Sequence, residues 1–376
     1  MPIQVWDYRE EYAAERDEIL AAVDEVFRSG RLILGERVRA FESELASYCG
    51  VASGVGVNSG TDALVLALRA LGLRDGDEVI TVSNTAIPTV SAIVTAGAVP
   101  RFVDIDPRTY LMDVRTLEAA VTPRTRCLLP VHLFGQCVDM AAVKSVAARH
   151  GLRVLEDCAQ STGAEQHGRQ AGAMSDVAAF SFYPTKILGG YGDGGMVITD
   201  DERLAAHVRR LRMYGTAGKY YAEEHGYNSR LDEVQAAVLS TKLRRLPAYI
   251  ERRRQLARRY DERLASTGLQ LPETAAGNRH AYYLYVVRHP ARDRIIQELA
   301  ARDVVVNISY PWPVHTMRAY AHFGSAEGAE GSLPETERAA REIFSLPMYP
   351  SLTDAEQERV CDALQEICSA LEVSRA

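Results

Sequence analysis

The chain lacks any apolar run approaching the roughly 18 residues that cross a bilayer. It also lacks a basic excess. Lys and Arg number 43 against 50 Asp and Glu, for a formal net charge of −7. Nucleic-acid partners are therefore not expected, since such proteins carry a basic face. The six cysteines, at 49, 127, 137, 158, 361 and 368, include no CxxC pair. Free buried thiols in a reducing compartment are the expectation. The nine histidines show no HxxxH or similar ligand spacing, so no metal is expected. Met1-Pro2-Ile3-Gln4-Val5 leads into a charged run from Asp7 to Glu18. That start lacks the basic then apolar pattern of a secretory leader. The expected setting is the cytoplasm, with no membrane partner.

What is present is a large apolar content, 47% of 376 residues. That is enough for one large domain and a smaller one. After a charged amphipathic helix over about the first 25 residues, short β-type runs alternate with helical stretches. The runs are Val55–Val57, Glu78–Val82, Val99–Val103, Arg126–Val131, Arg153–Glu156, Asp176–Phe182 and Met196–Thr199. Helical patterns over Asp62–Leu71, Thr89–Ala96, Val114–Val121 and Met140–His150 separate most of them. This alternation predicts an α/β fold with a largely parallel sheet.

Residues 201–266 read mainly as helix, ending in a long charged stretch that starts near Pro247. Beyond a break at Gly268–Asn278 come strand-like Tyr282–Val287 and Val304–Ile308. Helical patterns follow at Asp293–Ala301, Thr336–Phe344 and Asp354–Leu371. The expected division is a large domain over 1–245 and a small α+β domain over 246–376. The N-terminal helix, 1–29, would pack on either one.

Ligands of open parallel sheets bind beyond the carboxyl ends of the strands. Four segments stand there. Asn58-Ser59-Gly60-Thr61-Asp62 opens a helix, and free N–H groups with small hydroxyls suit a phosphate. An ordinary helix cap would look the same. Asp157 ends a buried strand, where a carboxylate is costly unless it meets a cation or backbone donors. Lys186 follows Phe180-Ser181-Phe182-Tyr183-Pro184-Thr185 in an apolar, glycine-rich setting that favours a neutral, nucleophilic amine. Gly189-Gly190-Tyr191-Gly192-Asp193-Gly194-Gly195 contains a G-x-G-x-x-G match. It runs into a strand rather than opening a helix, so it is not a dinucleotide fingerprint. Together the segments supply partners for a phosphate, a ring nitrogen and an aldehyde, the three handles of pyridoxal phosphate (PLP).

In this order the motifs resemble the DegT/DnrJ/EryC1/StrS family of nucleotide-sugar aminotransferases. The matching pieces are Asn58–Leu64, Pro130–Gly135, Glu156–Gln160, Phe180–Lys186, Gly192–Gly195, Gly226–Gln235 and Tyr310–His315. The resemblance implies a fold type I PLP-dependent transferase, like aspartate aminotransferase. It would have a mostly parallel seven-stranded sheet and a smaller C-terminal α+β domain.

The resemblance also implies roles. Lys186 would anchor PLP as an imine and then shuttle a proton. Asp157 would pair with the ring nitrogen, and Gln160 would reach the ring hydroxyl side. Gly60, Thr61 and Ser181 would hold the phosphate. Asn228 would reach it from a neighbouring subunit, making a homodimer with shared sites. Tyr183, Tyr310 and His315 look like substrate-side residues. Lys219 and Tyr220 would contact sugar or diphosphate, and Arg230 the donor carboxylate or the diphosphate. The implied substrates are a dTDP- or UDP-linked keto-deoxysugar and L-glutamate.

One departure stands out. Many relatives carry a ring-stacking aromatic where this chain has Ala86, so another side chain or aliphatic groups such as Ile87 would cover the ring. Lys186 itself separates the chain from family dehydratases that replace the lysine. Cyclitol or amino-acid transamination, or a non-catalytic regulator on the same scaffold, are the alternatives.

Overall fold

The computed structural model describes residues 2–323 and 331–373. Its centre is a seven-stranded sheet: β1 (Ser53–Val57), β2 (Glu78–Val82), β3 (Val99–Val103), β4 (Thr125–Leu128), β5 (Arg153–Asp157), β6 (Val177–Ser181) and β7 (Gly195–Thr199). The spatial order is β1-β7-β6-β5-β4-β2-β3. Only β7 runs against its neighbours; the other pairings are parallel. All five residues of β1, β2, β6 and β7 are buried, as expected of strands covered on both faces.

Register decides where the chemistry gathers. Asp157 of β5 lies beside Ala179 of β6. Gly195 of β7 pairs both with Val57 of β1 and with Ser181 of β6. The carboxyl ends of β1, β5 and β6 therefore meet at one edge, together with the start of β7. That is the edge where open α/β sheets take ligands.

One hydrophobic cluster surrounds this sheet and another lies in the C-terminal part. The helix Leu246–Leu264 joins them: Ile250 belongs to the first cluster, and Leu256, Tyr260 and Leu264 to the second. Pro247 sits in its first turn, where a missing N–H costs nothing. The N-terminal helix Arg9–Ser29 packs along Glu233–Leu243, where the Lys242 ammonium donates to Glu11 at 2.6 Å.

Several elements differ from the sequence expectation. A helix over Glu36–Cys49 is additional, and its buried stripe Val38, Phe41, Leu45 and Cys49 has ordinary helical spacing. The helical region 201–266 is interrupted by a small hairpin, Thr216–Gly218 with Tyr221–Ala222. The expected helix over Thr336–Phe344 ends at Glu342. Ile343–Leu346 is instead a strand paired with Tyr285–Arg288, because its β-branched and aromatic residues are all buried there. The expected strand Val304–Ile308 reduces to two bridges, Ile3 with Val304 and Asn307 with Ser345. No described helix is long and apolar enough to cross a membrane.

Candidate active site

At the carboxyl edge lies a cleft of about 340 Å³ whose walls include Gly60, Thr61, Asp157, Gln160, Ser181, Tyr183 and Lys186. Seven of the residues singled out in the sequence thus meet in one place.

One end is built by the helix Gly60–Ala70. Ser59 caps it, its hydroxyl accepting from the Asp62 N–H at 3.1 Å. The opening N–H groups of a helix have no partner inside it, and Gly60 and Thr61 both face the cleft wall. A side chain at Gly60 would press on Ser181, its Cβ only 2.5 Å from the Ser181 Cβ. The Gly-to-Ser approach is what brings the helix start and the serine hydroxyl to one anion-sized end. Gly195 does the same for the sheet, since a Cβ there would collide with the Ser59 carbonyl.

Asp157 is 3% exposed. Its Oδ1 accepts from the Ala159 N–H at 3.0 Å and its Oδ2 from the Thr89 hydroxyl at 2.8 Å. The Thr89 hydroxyl in turn lies 2.8 Å from that of Thr85. Burial nevertheless pushes the Asp157 carboxyl above its usual range, against the pull of these donors and of Lys186. A carboxylate in this state is short of a cation, and a protonated ring nitrogen would supply one.

Lys186 projects from the loop between β6 and β7, with its ammonium 4.6 Å from the centre of the Tyr283 ring. The Tyr283 hydroxyl is 3.0 Å from that of Thr185. Gln160 is held at both ends. Its Oε1 accepts from the Phe134 N–H at 2.9 Å, and its Nε2 donates to the Tyr310 hydroxyl at 2.5 Å. Burial raises the Tyr310 hydroxyl above its ordinary value, so it stays protonated at neutral pH.

Around Ala86 the cleft wall is aliphatic. Ala86 and Pro88 line the cleft, with Val131 and Ala159. Ile87, offered from sequence as one aliphatic cover beside the alternative of another stacking side chain, is 44% exposed and is not part of the cleft wall. It is the first residue of the helix Ile87–Thr95, and that turn directs its neighbours inward.

The remaining expected residues lie elsewhere in the chain. His315 is fully buried behind the β2 loop, with Nδ1 2.7 Å from the Ser83 hydroxyl and Nε2 3.3 Å from Glu337. Burial lowers its pKa, against the pull of Glu337. It does not line the cleft. Lys219 and Tyr220 sit on the exposed hairpin, Tyr220 being 94% exposed. Asn228 is exposed beside Met213, and the Arg230 guanidinium lies over the Tyr214 ring at 5.7 Å.

Sequence reasoning missed Thr85, Thr89, Asp193 and Tyr283. Thr85 and Thr89 are four residues apart around a helix start, a spacing that puts both hydroxyls on one side. Tyr283 is about a hundred residues away in sequence yet packs against Thr185 and Lys186, a tertiary contact with no local signal. His132, Glu156 and Cys158 form a buried group of potential metal ligands. Each Glu156 oxygen already accepts two bonds, from His132 and Gly172 and from Met174 and Ser175, so the group reads as a closed hydrogen-bond knot.

Comparison with known proteins agrees with this geometry. Residues 13–365 match the DegT/DnrJ/EryC1/StrS aminotransferase family. A protein of Micromonospora megalomicea subsp. nigra, dTDP-3-amino-3,4,6-trideoxy-alpha-D-glucose transaminase, is 56% identical over 377 residues, covering 99% of this chain and 100% of its own. The crystal structure of S. venezuelae DesV in complex with a ketimine intermediate has a TM-score of 0.95 at 46% identity, covering 98% of each chain. The structure of NtdA from Bacillus subtilis with bound cofactor PMP has a TM-score of 0.88 at 32% identity, covering 95% of this chain and 82% of that one. The chain belongs to the DegT/DnrJ/EryC1/StrS aminotransferase family and has its fold type I architecture.

Proposed function

We propose that this protein is a PLP-dependent transaminase that moves an amino group from L-glutamate to a nucleotide-linked keto-deoxysugar. The observation that carries this reading is Asp157, a buried carboxylate short of a cation, sharing one cleft with a helix start and a lysine amine. When bound, PLP supplies an aldehyde that carries nitrogen and a ring that takes up the electron pair of a broken C–H bond.

The chain's own groups have distinct tasks. The N–H groups of Gly60 and Thr61 and the Ser181 hydroxyl hold a phosphate at the positive end of the helix. Asp157 stays ionised once a protonated ring nitrogen faces it, and so keeps that proton in place. Thr89 and the Ala159 N–H fix the carboxylate's direction. The Lys186 Nζ anchors the cofactor and, once free, takes the proton from the substrate carbon that carries nitrogen. Gln160 orients the Tyr310 hydroxyl, and Tyr183 stands at the cleft mouth.

The dTDP-linked substrate follows the Micromonospora relative, and UDP-linked sugars are the next candidates. Asn228 serves the phosphate of a neighbouring subunit's site, so that the working unit is a homodimer. Lys219 and Tyr220 serve the sugar or diphosphate, and Arg230 the donor carboxylate or the diphosphate. The expected setting is the cytoplasm. His315 acts from behind the substrate side, through Ser83.

The test is an end-point assay with a panel of dTDP- and UDP-ketosugars and glutamate, with products read by mass. Lys186→Ala should lose the visible absorption of the lysine-bound cofactor and lower turnover by at least about a thousandfold. Failure of the purified, reconstituted protein to retain PLP would sink the reading. A keto-inositol accepted without any nucleotide would move it to cyclitol chemistry.

A further inference from the structure

Residues 228–233 form an extended strap with two different faces. Burial alternates along it: Asn228 is exposed, Ser229 buried, Arg230 half-buried, Leu231 buried, Asp232 exposed and Glu233 buried. That is the period of an extended chain covered on one face. Short bridges fix its ends, Asn228 beside Met213 and Asp232 beside Ile33. The Ser229 N–H donates to the Arg212 carbonyl at 3.0 Å, and the Glu233 N–H to the Leu32 carbonyl at 3.1 Å.

The inward side chains grip the chain's own cofactor cleft and its supports. The Ser229 hydroxyl accepts from the Asn58 N–H at 3.1 Å and donates to Asp62 Oδ2 at 2.6 Å, a short bond to a charged acceptor. Asn58 and Asp62 bracket Gly60 and Thr61, which line the cleft. Leu231 packs between β1 and the glycine loop after Lys186: a Cβ on Gly56 or on Gly194 would lie 3.0 Å from its side chain. Glu233 accepts from the Gly35, Arg37 and Val38 N–H groups at 2.7, 3.0 and 2.9 Å, and so fixes the start of the helix Glu36–Cys49. The outward face is different. Asn228 and Asp232 are exposed, and exposed apolar groups flank them, Met213 and Tyr214 at one end and Leu32 and Ile33 at the other. A second copy of the chain covering this face would bury them.

We propose that Ser229 is a positioning residue for the neighbouring subunit's cofactor. By tying the strap to the phosphate turn of its own subunit, it sets where Asn228 stands in the other site. The inference rests on the reading that Asn228 serves a neighbour's phosphate. Asn228 is one peptide unit from Ser229, so any slackening of the tie passes directly to it. The subunit's own turn has further supports: the Ser59 cap on the Asp62 N–H, and the close approach of Gly60 to Ser181. Loss of the Ser229 hydroxyl therefore falls on the neighbour's site more than on its own.

Hybrid dimers separate the two effects. One chain carries Lys186→Ala, so the absorbance of lysine-bound cofactor reports only the other chain's site. In the first hybrid, Ser229→Ala is placed on the Lys186→Ala chain, whose Asn228 serves the reporting site. In the second, it is placed on the reporting chain itself. Each hybrid is stripped of cofactor and titrated with pyridoxal phosphate. The reference is the hybrid without Ser229→Ala. Against it, the half-saturating concentration should rise about tenfold in the first hybrid, the scale of one hydrogen bond to a charged group, and about twofold or less in the second. Both hybrids contain one altered chain, so a disturbed fold would weaken them alike.

An equal or larger loss in the second hybrid, or no loss in the first, would overturn the role of Ser229. Asn228→Ala, placed in the same two ways, tests the premise. If it weakens its own chain's site and not the other, the shared-site reading fails and takes the role of Ser229 with it. If Asn228→Ala acts across the dimer and Ser229→Ala does not, the positioning role alone is lost.

Discussion

Glu156 and Asp157 are neighbours at the end of β5, and both are buried. They point to opposite faces of the sheet, as successive strand residues must. Burial pushes both carboxyls up, yet they finish on opposite sides of the ordinary value. In Glu156 the bond and charge of His132, with the Gly172 N–H and Ser175, outweigh burial and lower it. In Asp157 two donors and Lys186 do not outweigh burial, and it stays raised. A carboxylate with every lone pair answered is part of the architecture. A carboxylate left partly unanswered, facing a cleft, is a place for a ligand.

The comparison can be broken in order of effect. Asp157→Asn should lower turnover about a hundred- to a thousandfold by steady-state assay, the loss expected when one preorganised charge leaves a reacting centre. Its fold should survive, because an amide can still accept from the Ala159 N–H and donate to Thr89. An Asp157→Asn protein with near-normal turnover would remove the ring-nitrogen role.

Glu156→Ala should act in the other direction, on stability first. It strands His132, Ser175 and two N–H groups, at a cost of about 3–5 kcal/mol in urea unfolding. The folded-state pKa of Glu156 is depressed, so its contribution is present above the unfolded value near 4.3. It fades as pH falls through the folded value, and the gap between variant and parent should narrow there. A gap that stays constant down to pH 3 would contradict that origin.

The smallest effect is the most diagnostic. In cofactor-free protein, Asp157→Asn should stabilise by about 1–2 kcal/mol at pH 7, because a buried charge without a cation is removed. The folded-state pKa is raised, so ionised Asp157 is a penalty that grows as pH rises above the unfolded value near 3.9. The gain should therefore shrink as pH falls toward 4. Thermal midpoints at pH 4 and pH 7 decide it, and a variant less stable than its parent at both would refute the comparison.

The cleft was legible because each of its parts sits at a strand end or helix start. Lys186, Asp157, Ser181 and Gly60 were singled out by that position, and the family resemblance then gave each an expected role. Strand register then did the gathering, and register is a property of pairing that no single segment carries. The place of Tyr283 was not legible, since it meets Thr185 and Lys186 only through tertiary packing. His315 lies in a matching motif, yet it is fully buried with both ring nitrogens engaged inside the chain. The helix Glu36–Cys49 was legible by its spacing and was passed over. Strand Ile343–Leu346 was not, because a short apolar run after a helical stretch reads equally well as helix.

The reversed strand β7 has a consequence for how the lysine is held. Because β7 returns beside β6, the loop carrying Lys186 starts at Ser181 and ends at its own cross-strand partner, Gly195. In chain-entropy terms the loop is closed by adjacent hydrogen-bonded residues, and a closure of this length costs little. Shortening or lengthening that loop shifts the reach of one amine while the sheet pairing stays whole. The same scaffold can thus re-aim the Lys186 amine by changes in a single hairpin.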